Sequence, residues 1–117
     1  MARIKRAQVR KTRKENIRAA STGFTGGRQR LRQAKAAVRH AQVYAFIGRK
    51  QRKRQFRALW IQRIAAALMP HQLSYSRFIH GLNLAGITLD RKQLAALAVE
   101  EPAAFDAVVA QARGALG

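Results

Sequence analysis

From Met1 to Arg63 the chain carries 20 lysines and arginines and a single acid, Glu15. A segment this one-sided cannot build a core from its own side chains, because a buried charge without a partner is strongly disfavoured. The 54 residues that follow hold four bases (Arg77, Arg91, Lys92, Arg113) and four acids (Asp90, Glu100, Glu101, Asp106). The whole net charge of +19 on these 117 residues therefore lies in the first half. Such asymmetry points to a polyanionic partner, either nucleic acid or an acidic membrane surface.

Several classes drop out early. There is no cysteine, which removes disulfides, thiolate metal sites and a thiol nucleophile, and fits a reducing compartment. No apolar run approaches the ~18 residues of a membrane span. The amino terminus lacks the apolar middle of a secretory signal. Its arginine-rich, acid-poor composition is that of an organellar presequence too, but the same charge density continues to Arg63, which favours one basic arm over a removable leader.

Residues 2–19 contain Arg3, Lys5, Arg6, Arg10, Lys11, Arg13, Lys14 and Arg18. Propensity allows a helix from about Ala7 to Ala20, charged around most of its circumference and so without a face for a protein core. Ser21 to Gly27 breaks the pattern with Gly23, Gly26 and Gly27, and Phe24 stands between them. The spacing leaves Phe24 open to two uses, packing on a neighbouring helix or stacking on a base. From Arg28 to Met69 there is no proline and one glycine, Gly48, which is the expected place for a bend or interruption. Leu31, Ala34, Val38, Ala41 and Ala45 recur every three or four residues, with Arg28, Arg30, Arg32, Lys35 and Arg39 around them, so one long basic helix is expected.

The stretch from Gly48 to Ile64 divides the molecule. Arg49, Lys50, Arg52, Lys53, Arg54 and Arg57 come first, and then Phe56, Leu59, Trp60 and Ile64 supply apolar positions at helical spacing. A coiled coil is excluded because Gly48 to Gln55 offers no apolar side chain to a seam. Arg49/Lys53, Lys50/Arg54 and Lys53/Arg57 are like charges four apart, each opposing a helix in water by ~0.2–0.5 kcal/mol. The arm is therefore expected to fray when free and to order against a polyanion. Beyond Arg57 the expected fold is a small bundle with Trp60 as its largest core residue. Pro70 ends the long helix, Ser74 caps a second that stops at Gly86, Asp90 caps a third with Gln93 completing a capping box, and Pro102 opens a fourth. The fold class is all-α, a basic arm over 1–57 followed by a four-helix domain over 58–117.

Catalysis finds no footing. His40, His71 and His80 are scattered, no carboxylate pair has acid–base or metal spacing, and the glycine cluster lacks the Lys-Ser/Thr of a phosphate-binding loop. Neither a cofactor nor a small-molecule substrate is implied. Arginine outnumbers lysine 17 to 7, which suits forked contacts to phosphate and stacking on bases. Shape favours RNA over DNA, since a duplex reader normally presents one basic face and a dimer interface.

Lys53, Arg57, Leu59-Trp60-Ile61 and Arg63-Ile64 together resemble the signature of the bacterial large-subunit ribosomal protein numbered twenty. Arg3-Ile4-Lys5-Arg6, the loop with Gly23-Phe24, Gly26, Arg28 and Arg30, and Tyr44 through Arg57 follow that family's order. So do Ser74-Tyr75-Ser76, Phe78-Ile79, Gly81-Leu82, Asp90-Arg91-Lys92 and Phe105. The likeness implies an all-α protein of the cytoplasmic ribosome, its arm threaded into large-subunit ribosomal RNA and its carboxy-terminal domain seated at a junction of RNA helices. It implies an early structural role in subunit assembly, neighbouring ribosomal proteins as secondary partners and, in some bacteria, repression of the family's own messenger RNA. On this resemblance the cations from Arg3 to Arg63 meet phosphate, and Ser74, Arg77 and Lys92 contribute from the bundle. Ala65 stands where the family usually has Asn, and Met69-Pro70-His71-Gln72 replaces a more basic turn; both departures bear on the carboxy-terminal contacts and not on the arm. A nucleoid-type DNA-binding protein is the rival reading, with a cationic membrane-surface peptide behind it.

Overall fold

The computed structural model describes residues 5–27 and 30–117. Among them every regular element is helical: α1 (Ala7–Ala20), α2 (Leu31–Leu68), a 3-10 turn (Met69–His71), α3 (Tyr75–Ala85), α4 (Arg91–Glu100) and α5 (Pro102–Leu116). The chain divides into two compact units, Met1–Lys50 and Gln51–Gly117.

In the first unit α1 has no buried residue, no side-chain cap and no acid in its first turn. Its 14 residues are close to the length at which an isolated helix is only marginal in water. The turn that follows relies on glycine. Gly26 and Gly27 both take positive φ (68° and 64°), and a Cβ on Gly27 would meet the Gln33 side-chain oxygen at 2.5 Å. The amide of Ala34 then donates to the carbonyl of Arg30 at 2.9 Å, closing the first bond of α2. Of the expected apolar stripe, Ala34 is buried and Leu31 and Val38 are half-buried, while Ala41 and Ala45 are exposed. The stripe finds a partner only near the start of α2. Gly48, where a bend or interruption was open, does not interrupt α2, and the expected long helix forms: one glycine costs a helix interior only ~1 kcal/mol relative to alanine. Val43, Tyr44, Phe46 and Ile47 before it are all more than 40% exposed.

The second unit owns the core. Ile64 and Leu68 from the end of α2, Phe78 and Leu82 from α3, Leu94 and Ala95 from α4, and Phe105, Val109 and Ala112 from α5 form one buried cluster. The rings of Phe78 and Phe105 lie 5.8 Å apart and tilted. Trp60 is half-buried at the margin of this cluster, so the largest core side chains are Phe78 and Phe105 rather than the tryptophan. Phe56, one turn earlier, is 48% exposed and outside the core. Two or three turns of α2 reach the bundle, and Phe56 lies before that reach.

Local signals set each boundary. Ser74 accepts from the amide of Arg77 at the start of α3. Asp90 Oδ1 accepts from the Gln93 amide at 2.8 Å and Gln93 Oε1 accepts from the Asp90 amide at 3.0 Å, so the capping box of α4 is complete. Gly86 ends α3 with the paired bonds of a Schellman motif: its amide donates to the carbonyl of Asn83, and that of Ile87 to the carbonyl of Leu82. Pro102 occupies the first turn of α5. The 3-10 turn is tied to α5 from two sides. His71 Nε2 lies 2.7 Å from Asp106 Oδ1, and the Arg113 guanidinium donates to the His71 carbonyl.

The tightest crossing is α3 on α5 at Gly81, which is buried. A Cβ there would come to 2.5 Å from the Ala112 carbonyl oxygen, a backbone atom that cannot step aside. Gly81→Ala is therefore expected to destabilise the second unit by about 1–3 kcal/mol, as overpacking does. Urea unfolding of the full chain followed by Trp60 fluorescence reads this; a midpoint equal to that of the parent chain contradicts the close crossing. Gln72, held at φ 53° in the left-handed region, makes the opposite case. Gln72→Gly is expected to raise the same midpoint, since that conformation costs a side chain about 1–2 kcal/mol.

Candidate nucleic-acid interface

Helical geometry and charge spacing together build the surface. All 18 described lysines and arginines between Lys5 and Arg63 are exposed. Among the described residues only Lys11 has a carboxylate within reach, Glu15 Oε1 at 4.0 Å, with both side chains more than half exposed. The pair runs Lys to Glu, the less favourable order against the helix dipole, and an exposed pair four apart is worth only ~0.3–0.5 kcal/mol. The other 17 cations have no acid partner among the described residues.

Residues on a helix advance about 100° each, so Arg32, Lys35, Arg39 and the cations from Arg49 to Arg63 fall within one arc of about 200° on α2. The long helix is thus basic over a broad face rather than all round. The opposite side repeats uncharged residues at helical spacing: Gln33, Ala37, His40, Tyr44, Gly48, Gln51, Gln55, Ala58 and Gln62. Within the first unit, Arg10, Arg13 and Lys14 of α1 line an open cleft with Lys35 and Leu31 of α2, and Asn16 and Ile17 complete it. Four expected site residues converge there from two helices. Lys50 sits over the Phe46 ring at 4.4 Å, and His40 meets Tyr44 edge-on at 4.2 Å. Lys5 and Arg6 precede α1, Arg18 lies in its last turn, and Phe24 is half-buried in the glycine turn. Arg3 and Arg28 lie outside the described residues.

In the second unit Lys53, Arg54, Arg57 and Lys92 line another open cleft together with Trp60, Asp90 and Arg91. Ser74 and Arg77 are exposed and do not belong to it. The Ser74 hydroxyl has a local task as the α3 cap, which its position before a helical run already signals. Sequence reasoning missed Arg91 and Trp60 as surface groups. Arg91 reads as a first-turn residue, yet its Nε donates to the Tyr75 hydroxyl at 2.6 Å across the unit. Nothing in local spacing reveals that contact.

Among the described residues no cluster of His, Asp or Glu could hold a metal, and no helix is long and apolar enough to cross a membrane. Fold and surface define an all-α, polybasic protein. The family model of ribosomal protein L20 matches residues 3–108. The large ribosomal subunit protein bL20 of Afipia carboxidovorans is 52% identical over 117 residues, covering 99% of this chain and 98% of that protein. Its counterpart in Rubrobacter xylanophilus is 56% identical over 118 residues (99% and 88%) and that in Methylobacterium nodulans 51% over 117 (99% and 94%). The chain belongs to the ribosomal protein L20 family, and is a structural protein of the large ribosomal subunit rather than an enzyme.

Glu15→Gln isolates the one acid of the basic half. Circular dichroism is expected to show helix stability altered by less than about 0.5 kcal/mol, while affinity for a polyanion such as heparin rises because a repelling carboxylate is gone. A large loss of helix would show that the Lys11–Glu15 pair holds α1 together.

Proposed function

We propose that this chain binds large-subunit ribosomal RNA directly and supports early assembly of the large subunit in the cytoplasmic ribosome. The observation that carries the reading is the set of 18 exposed cations, of which one has a carboxylate within 4.0 Å among the described residues. Phosphate supplies what the polypeptide lacks. Residues 1–57 act as the penetrating arm, with Arg and Lys from Arg3 to Arg63 neutralising phosphate and the glycine turn letting RNA and backbone approach closely. Residues 58–117 form the domain that docks on folded RNA, using Arg77 and Lys92, with the Ser74 hydroxyl at the edge of α3. The names carried by the relatives support the large subunit as the setting. Neighbouring large-subunit proteins are secondary partners.

Charge compensation is the mechanism. RNA helices repel one another until cations lie between them, and a chain that carries many cations in sequence brings them to one place together and releases the counterions condensed there. If ~10 cations meet phosphate, the logarithm of affinity falls with that of salt at a slope of roughly −7 to −9. The like-charge pairs four apart along α1 and α2 relax on the same contact, so the arm orders as it binds. Repression of the chain's own messenger would be a second use of the docking domain. Ala65 and the turn Met69–Gln72 differ from the family pattern inside that domain, so messenger binding is expected to be the weaker of the two.

Sedimentation of tagged full-length chain with large ribosomal subunits, followed by competition at matched salt, tests the reading. Retention by structured ribosomal RNA is expected to exceed retention by duplex DNA. The reverse order would favour a nucleoid-type protein, and binding to anionic vesicles in preference to either would favour a membrane-surface role. Hydrogen exchange checks the ordering step: amides of 7–20 and 31–57 are expected to exchange fast in the free chain and to gain protection on RNA. Full protection without RNA contradicts it.

A further inference from the structure

The cleft of the second unit combines features that neither a core nor a phosphate-binding face requires. Lys53, Arg54, Arg57 and Trp60 come to it from α2, and Arg91 and Lys92 from the first turn of α4. Trp60 is only half-buried, and the Phe56 ring lies 6.2 Å from it at an interplanar angle of 30°. Phe56 is itself 48% exposed. Two near-parallel rings thus reach the surface in the middle of the cationic arc of α2. The bond from Arg91 Nε to the Tyr75 hydroxyl at 2.6 Å holds that guanidinium in the cleft that Trp60 lines. Asp90 is the one acid of the lining, and its Oδ1 is engaged by the Gln93 amide.

A purely structural tryptophan gains nothing from five cations around its exposed edge. Phosphate capture alone needs no aromatic plane. The two together match a base outside a duplex: its π-face lies on an aromatic ring and its flanking phosphates meet lysine and arginine. A paired base cannot reach such a site, since its faces are covered by its neighbours in the stack. We propose that this cleft seats one unpaired ribonucleotide, its base stacked on Trp60 and its phosphates held by Lys53, Arg57 and Lys92. The proposal rests on the RNA-binding reading above and adds a single-stranded element to it.

Trp60 is the sole tryptophan, so its fluorescence reports this cleft and no other place. Full-length chain is titrated at raised salt, where the arm's phosphate contacts are weakened, with hexaadenylate and with an abasic ribose-phosphate hexamer of equal charge. Hexaadenylate is expected to quench Trp60 and to bind there about 5- to 150-fold more tightly than the abasic strand, the range that stacking of one base provides. Lys92→Gln, an exposed position, is expected to weaken the quenching affinity about two- to fivefold. Phe56→Ala is expected to weaken it as well. Equal affinity for the two hexamers, or quenching indifferent to both substitutions, overturns the proposal. Retention of the same variants on ribosomal RNA is measured alongside. Retention without base-dependent quenching sinks the nucleotide seat alone, whereas absence of retention sinks the reading beneath it.

Discussion

Unmatched positive charge is the constraint on which the rest of this chain depends. A protein half with 20 bases and one acid can keep its cations solvated only by spreading them on helices that bury almost nothing. That is what α1 and the greater part of α2 do, with Ser21 and Ala34 the only buried side chains described between Lys5 and Lys50. The absence of a core there is not a failure of hydrophobic patterning. Apolar residues are available, since Val43, Tyr44, Phe46 and Ile47 are consecutive or nearly so, but their arc of about 160° overlaps the cationic one, so that face could not be buried without dragging charge inside.

The neutral half shows the complementary solution. With four acids against four bases it has no field to manage, and its helices are held by ordinary devices: a capping box at Asp90, a Schellman motif at Gly86, a proline at the head of α5, and a glycine that lets α3 approach the α5 backbone. Its core draws on four helices, one of them the end of α2. The same arc of α2 that carries Lys53 and Arg57 carries Ile64 and Leu68 two turns later. A single helical face therefore passes from charge-bearing to core-bearing, and Phe56 and Trp60 stand at the changeover, which is why neither is fully buried.

Most of the secondary structure was legible because it rests on local chemistry. The Ser74, Asp90 and Pro102 starts and the Gly86 stop each follow from a residue type with one strong conformational preference, and the bounds of α1 from propensity alone. What spacing could not give was depth. Trp60 sits at a core position by periodicity, but its burial depends on how far the bundle extends along α2, a property of three other helices. Gly48 left an interruption open for a related reason: a glycine's cost to a helix is small and local, and the residues around it decide whether the helix continues. The interface was legible in its composition and not in its grouping. That Arg10, Arg13 and Lys14 share a cleft with Lys35, or that Lys92 shares one with Lys53 and Arg57, depends on tertiary approach, and the bond from Arg91 to Tyr75 spans 16 positions.

The departure expected at Met69–Gln72 falls where this structure can absorb it. The turn holds Gln72 in the left-handed region. Yet the turn is secured to α5 by two side-chain contacts, from Asp106 to His71 and from Arg113 to the His71 carbonyl. The arm has no comparable freedom. Its cations have little internal use: among the described residues only Lys11 has a carboxylate within reach, and Lys50 lies over the Phe46 ring. The residues that build the core and the cations without an acid partner are therefore largely separate in this chain, and they meet along the few turns of α2 where the cationic arc becomes the core.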